Sequence, residues 1–258
     1  MSKGYDNSFY EEFKNSSRLS ASVVVPLVMG LIKPISVVDV GCGIGVWLSV
    51  FKENGVEKVT GVDGPWVDSK MLRIPKESFI AKDVTEKFSL DIKADLVVCL
   101  EMAEHVPSSV AENLIQTLTS IAPVVLFSAA IPHQGGSGHV NEQWPAYWAK
   151  LFKKNGFIPI DCIRRKIWED ERVTWFYAQN MFMYVSSDAL QRYPELGAEV
   201  AAGFGSSPAL VHPYKYVYFA ERWELIVPLL GKIPPWMLHA TKRTLYRLRA
   251  LKRKLRGA

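Results

Sequence analysis

Apolar residues follow two rhythms along this chain, one close to 3.6 residues and one close to two, and their order predicts the architecture. Residues 5–15 and 19–32 read as two helices, the second apolar on most faces and stopped by Lys33 and Pro34. Short β-branched runs follow at 37–40, 58–63, 95–100, 124–128, 157–163 and 175–185, with helical stretches between them. Strands alternating with helices imply a parallel sheet covered on both faces. Ser109 and Glu112 have the spacing of a capping box ahead of Leu114 and Leu118, and Gly156 suits the position just past a helix over 145–155. Near the end of this pattern Tyr177 and Gln179 alternate with Phe176 and Ala178, which predicts a strand with one polar face. From about Gln191 the pattern loosens into segments punctuated by Pro and Gly. The expected division is a helical cap over 1–34, a main domain over 35–187 and an extension over 188–258.

Composition narrows the picture. With 258 residues, 48% hydrophobic and 22% charged, the chain can bury one sizeable core. The longest nearly uncharged stretch, 21–32, has about a dozen residues and contains Pro26, whereas a bilayer span needs about twenty. A transmembrane protein is therefore not expected. Lys3 followed by Asp6, Glu11 and Glu12 does not resemble a secretory signal, and Cys42, Cys99 and Cys162 lie too far apart to suggest a disulfide framework or a C-x-x-C site. The expectation is a cytoplasmic protein with reduced thiols. Residues 232–258 carry nine of the 31 Lys and Arg and none of the 26 Asp and Glu, which leaves 22 basic and 26 acidic residues before them, a net −4. A body of that charge offers no general surface for nucleic acid.

The densest chemical signal is Val37-Val38-Asp39-Val40-Gly41-Cys42-Gly43-Ile44-Gly45, an apolar strand carrying an acid into a glycine-rich turn. A dinucleotide fingerprint would need glycine where Val46 stands. An acid at the strand end suits a ligand bearing an ammonium group, as S-adenosylmethionine does, better than a pyrophosphate. Asp63, in Val62-Asp63-Gly64, lies 24 residues after Asp39, one β-α-β step on, where a carboxylate can accept from a ribose diol. Asp83 with Val84 could meet an adenine edge and face, and Trp66 could stack on that ring or simply pack.

These residues, with Ala94-Asp95-Leu96-Val97-Val98-Cys99-Leu100-Glu101-Met102-Ala103-Glu104-His105-Val106-Pro107, resemble the class I S-adenosylmethionine-dependent methyltransferases over about 36–185. The resemblance implies a Rossmann-like, mostly parallel seven-stranded α/β sheet with helices on both faces, an N-terminal helical cap and a C-terminal helical extension. It implies S-adenosylmethionine as cofactor, held by Asp39, Gly41, Cys42, Gly43, Gly45, Asp63, Gly64, Asp83, Val84, Leu100 and Glu101. The segment from His139 to Trp148, with Phe152, Phe157 and Trp175 to Met181, is similar to methyltransferases among bacterial cell-surface glycan enzymes.

The acceptor is the open question. A hydroxyl benefits from a nearby base, whereas a neutral amine does not need one. After the strand at 124–128 the chain runs through His133-Gln134-Gly135-Gly136-Ser137-Gly138-His139 to Glu142, at the sheet edge where ligands bind. His139, or His133, could take a hydroxyl proton with Glu142 or Asn141 orienting the ring, or the two could serve to pin the loop. His133, His139 and Glu142 are too sparse to predict a metal centre. His105 reads as a turn-stabilising residue, and Arg18 could meet a methionine carboxylate or lie exposed.

The turn after Leu100 lacks the Asp/Asn-Pro-Pro-aromatic sequence used to hold a nucleobase, and no Pro-Cys nucleophile is present. The expected reaction is O-methylation of a sugar or other small molecule. The alternatives are small-molecule N-methylation, or a non-catalytic scaffold that binds anionic surfaces through its tail. Residues 236–256 form a basic amphipathic pattern that could rest on an anionic membrane, pack on the body or stay solvated.

Overall fold

The computed structural model describes residues 7–230. Its first element is a single helix, α1 (Asn7–Ile32), where two were expected, and Pro26 lies inside it. The serine-rich stretch is accommodated within the helix, its hydroxyls bonding to the preceding turn: Ser20 Oγ donates to the Ser16 carbonyl at 2.8 Å and Ser22 Oγ to the Leu19 carbonyl at 2.7 Å. Lys33 ends it with φ +45, its N–H on the Met29 carbonyl at 3.1 Å. The 18 residues Asn15–Ile32 are long and apolar enough to cross a bilayer, more than the dozen counted in the sequence. In this fold Ala21, Val24, Val25 and Val28 are fully buried in the core cluster that also holds Leu48 and Phe51.

The sheet consists of β1 (Ser36–Val40), β2 (Lys58–Asp63), β3 (Phe79–Ala81), β4 (Leu96–Leu100), β5 (Val124–Ser128), β6 (Phe157–Ile160) and β7 (Phe182–Ser186). Their spatial order is β3-β2-β1-β4-β5-β7-β6. The first five strands pair in parallel and β7 runs antiparallel to both β5 and β6. The strands are nearly continuous apolar runs because both faces are covered. Alternate residues of β4 divide between two cores: Leu96, Val98 and Leu100 join the cluster under α1 and α2 (Val46–Glu53), while Val97 and Cys99 join the cluster under α3 (Ser108–Ile121) and α4 (Pro145–Lys154). In the second cluster Phe152 stacks on Tyr184 at 3.7 Å between ring centres.

Three local expectations change. The stretch read as one strand over 175–185 is a helix, α6 (Trp175–Asn180), followed by β7. A strand would send Gln179 and Asn180 to opposite faces, whereas the helical turn lets both amides reach Gln134, at 3.2 and 2.8 Å. The capping box at Ser109 does not form, because α3 starts at Ser108 after Pro107 and Glu112 instead pairs with Lys154 on α4 at 2.9 Å. The strand expected over 157–163 stops at Ile160, and a short helix, α5 (Arg164–Ile167), follows. Gly156 does follow α4 with φ +78.

The first compact unit runs through His212, so the limit expected near Ser187 falls inside it. The reason is polar. After α7 (Pro194–Glu199) the chain returns to the body, where Arg164 Nη2 donates to the Pro208 carbonyl at 3.0 Å and the His212 N–H donates to Gln179 Oε1 at 2.9 Å. A second unit begins at Pro213 with α8 (Pro213–Leu230). The basic amphipathic pattern over 236–256, and with it the expected membrane contact, lies outside the described residues.

Arg164 is the polar tie of this corner. It is 1% exposed, forks onto Asp161 at 2.8 and 2.5 Å, donates to the Gln179 carbonyl at 3.0 Å and lies 4.1 Å above the Phe182 ring. Removing it strands a carboxylate and two carbonyls. Arg164→Ala is expected to lower the unfolding free energy by about 3–5 kcal/mol, measured by denaturant titration.

Candidate active site

The strand order reverses between β1 and β4, and a cavity of about 550 Å³ opens there at the carboxyl ends of the parallel strands, large enough for a small organic ligand. The turn after β1 supplies one wall. Gly41 has φ +84, and a Cβ on it would lie 2.3 Å from Met102 Cγ, so only glycine lets this turn pass the chain leaving β4. Gly43 donates its N–H to Asp63 Oδ2 at 2.7 Å, and the Gly64 N–H donates to Asp63 Oδ1 at 2.6 Å. Asp63 thereby pins the turn after β1 to the end of β2.

Asp39, in β1, lines the cavity and is 3% exposed. Among the described residues no donor meets its carboxylate. Burial, and then the charge of Asp63, push its pKa well above the usual carboxylate range. Asp63 is raised by burial too, against the two backbone N–H bonds it accepts. Asp83 lines the same cavity and accepts from the Thr85 N–H at 2.9 Å and the Thr85 hydroxyl at 2.6 Å.

The ends of β4 and β5 build a buried polar network. Glu101 sits in the left-handed region at φ +49, its N–H donating to the Ser128 carbonyl and Oγ, both at 3.0 Å. Its carboxylate accepts from Gln134 Nε2 at 2.8 Å and Asn180 Nδ2 at 3.0 Å. Burial raises its pKa to about 7 despite these bonds. Glu104, 1% exposed, is pushed well above the usual range by burial and then by the charge of Glu101.

The loop between β5 and α4 carries the imidazoles. Glu142 accepts from the His133 and Gly135 N–H groups, each at 2.8 Å, and bonds His139 Nδ1 at 2.9 Å. Burial raises Glu142, but these bonds more than offset it and hold the carboxylate below its usual range. The rings of His139 and His105 meet edge to face at 4.9 Å, and both line the cavity. Burial, and then His139, lower the His105 pKa to about 4.

Of the residues expected from sequence, Asp39, Gly41, Cys42, Gly43, Asp63, Asp83, Val84, Leu100, Glu101 and His139 all line this one cavity. Gly45 and Gly64 do not: the Gly45 N–H closes the turn on the Cys42 carbonyl at 2.9 Å, and a Cβ on Gly64 would strike the Trp66 indole. His133 is exposed, at φ +68, and contributes a backbone N–H to Glu142 rather than a ring to the cavity. Arg18 forks onto Glu53 at 3.0 and 2.9 Å on the surface instead of facing the cavity. The sequence reading missed Glu104 and His105 as cavity residues, although their spacing from Glu101 in Glu101-x-x-Glu104-His105, directly after a strand, was the available signal. It missed Asn180 because a strand was expected there.

A family model described as a methyltransferase domain matches residues 14–161. Among solved structures the chain is similar to an amino pentose methyltransferase from Micromonospora echinaspora with SAM bound (13% identity, TM-score 0.50, 72% of this chain and 100% of that one). It is similar to a putative O-methyltransferase from Nostoc punctiforme (15% identity, TM-score 0.51, 71% and 62%). A third is magnesium protoporphyrin IX methyltransferase from Synechocystis with bound SAM (21% identity, TM-score 0.47, 72% and 86%). No curated protein matched. At these identities the likeness is one of fold.

The buried acids set a pH dependence. Glu101 keeps a proton in the folded chain that the unfolded chain releases near pH 4, so its contribution is complete below that pH and is lost as pH rises through about 7, and the raised Asp39 and Glu104 act in the same direction. His105, lowered to about 4, works the other way below about pH 6.5, so the ligand-free protein is expected to lose roughly 1–2 kcal/mol between pH 6.5 and 8, with part of that slope absent in Glu101→Gln. Thermal melts across this range measure it, and a slope of opposite sign would contradict the assignment.

Proposed function

The chain belongs to the methyltransferase domain family, and from that premise we propose that it moves a methyl group from S-adenosylmethionine to a hydroxyl of a sugar or other small molecule. The observation that carries the donor half is Asp39: a buried carboxylate with no donor of its own, facing a cavity, fits an ammonium group. Gly41, Cys42 and Gly43 would lie along the methionine part of the donor, Asp63 would accept from its ribose, and Asp83 with Val84 would border its adenine. The bound sulfonium supplies an activated methyl group.

The chain's own residues then have two tasks, to hold the acceptor in line and to deal with one proton. His139 supports a hydroxyl acceptor over an amine. Its Nδ1 bonds Glu142 at 2.9 Å and its Nε2 lies 3.8 Å from Glu104 Oε1, so in the tautomer that donates from Nδ1 the Nε2 lone pair would be available. A neutral amine acceptor does not need this arrangement. The sugar class is supported by the amino pentose methyltransferase among the structural neighbours, whereas Trp148 lends it nothing, being 2% exposed and packed on Phe127 in the core. Three buried free thiols, Cys42, Cys99 and Cys162, support a cytoplasmic setting.

Two measurements test this reading. Titration calorimetry with S-adenosylmethionine is expected to show saturable binding that tightens from pH 5 to 7, because the donor's cation selects ionised Asp39. Asp39→Asn is expected to weaken binding at least tenfold and flatten that dependence; an unchanged affinity would remove the donor assignment. For the acceptor, a panel of nucleotide sugars and free glycans assayed for release of S-adenosylhomocysteine is expected to reveal hydroxyl substrates. His139→Ala is expected to lower their turnover by about 10²–10⁴. Turnover of amines alone would overturn the hydroxyl reading.

A further inference from the structure

Resting on the methyltransferase reading, we infer that Glu104, His105 and His139 form a binding site for a divalent first-row transition-metal cation in the wall of the same cavity. One ligand-type atom from each residue lies within 4.8 Å of the other two, and His139 Nε2 stands 3.8 Å from Glu104 Oε1. Nitrogen and oxygen ligands bind such ions at about 2.0–2.2 Å, so two on one ion are at most about 4.4 Å apart. The three atoms stand somewhat farther apart than a bound cation would hold them, so side-chain rotation must draw them together to close the site.

Three independent features show that the cluster is built. Each imidazole is held from behind, His139 by Glu142 at 2.9 Å and His105 by the backbone of Gly138, the arrangement that orients metal-bound histidines. Glu104 is 1% exposed and its Oε2 has no hydrogen-bond partner, which is a costly condition for a buried carboxyl oxygen and one that a cation relieves. Gly136 makes room for the ring: a Cβ there would lie 2.3 Å from His139 Nε2. The set differs from the His133, His139 and Glu142 trio weighed on sequence, since His133 is exposed and Glu142 stands behind a ligand.

Two imidazoles and one carboxylate favour ions such as zinc, manganese or cobalt over magnesium or calcium, which prefer an all-oxygen shell. Three protein ligands leave a position open toward the cavity. With the cation in place the His139 lone pair is a ligand, and the cation lowers the pKa of a hydroxyl that joins its open position, the proton passing to water. Turnover then depends on the metal, whereas an imidazole base alone would be indifferent to a chelator.

The test uses the full chain, stripped with chelator and desalted, and titrated with Co²⁺ while visible absorption and heat are recorded. One equivalent is expected to bind. His105→Ala and His139→Ala are each expected to weaken it at least tenfold, and Glu142→Gln, which keeps all three ligands, by about 10–100-fold. Thermal melts identify any variant that fails to fold, and the near-isosteric His105→Gln then takes the place of His105→Ala. Absence of saturable Co²⁺ binding, or an affinity unchanged in the His105→Ala/His139→Ala double variant, overturns the site. S-adenosylmethionine titrated into the metal-free protein keeps the two readings apart: donor binding without Co²⁺ binding refutes only the cation site, and Co²⁺ binding without donor binding refutes only the methyltransferase reading.

Discussion

Burying an ionised carboxyl group without a partner is so costly that the group holds its proton instead, and this fold places such a group at Asp39. The rest of the architecture follows from where that cost is placed. Asp39 sits in the strand at which the sheet order reverses, paired with Gly61 on one side and Val98 on the other. Apolar strands around it supply the stability that tolerates the burial. The glycine turn after it keeps side chains out of the way, and Asp63 fixes that turn through two backbone amides. A positively charged group beside Asp39 would favour loss of that proton, so the charge state of this strand end is set by what stands next to it.

Much of this frame was legible without coordinates. β2 and β5 begin and end where their β-branched runs do, because a strand covered on both faces leaves a compact apolar signature. The glycine turn, Asp63 and Asp83 were legible for the same reason: each stands at a strand end, and a parallel sheet delivers its strand ends to one edge. What failed depended on contacts between distant segments. The residues of α6 are aromatic and alternating, as a strand would be, and only the amides reaching Gln134 across the fold reward the helix. The polar ties that hold the chain through His212 against the body likewise join residues far apart in sequence.

The imidazole wall of the cavity was legible in type but not in membership. Two histidines beside a run of glycines pointed to a loop that reaches the cavity, and His139 lines it. His133 does not, because at φ +68 its backbone serves Glu142 and its ring turns outward. Its place is taken by His105, brought in from a different strand end by the tight turn Ala103–His105. Sequence spacing predicts which residues share a loop; it says little about which ring comes from the neighbouring one.

Glu142 holds two amides of its own loop and the ring of His139 with a single carboxylate. Loop position and ring orientation are therefore one mechanical variable. A displacement large enough to break the amide bonds also frees the imidazole, and neither can be changed without the other.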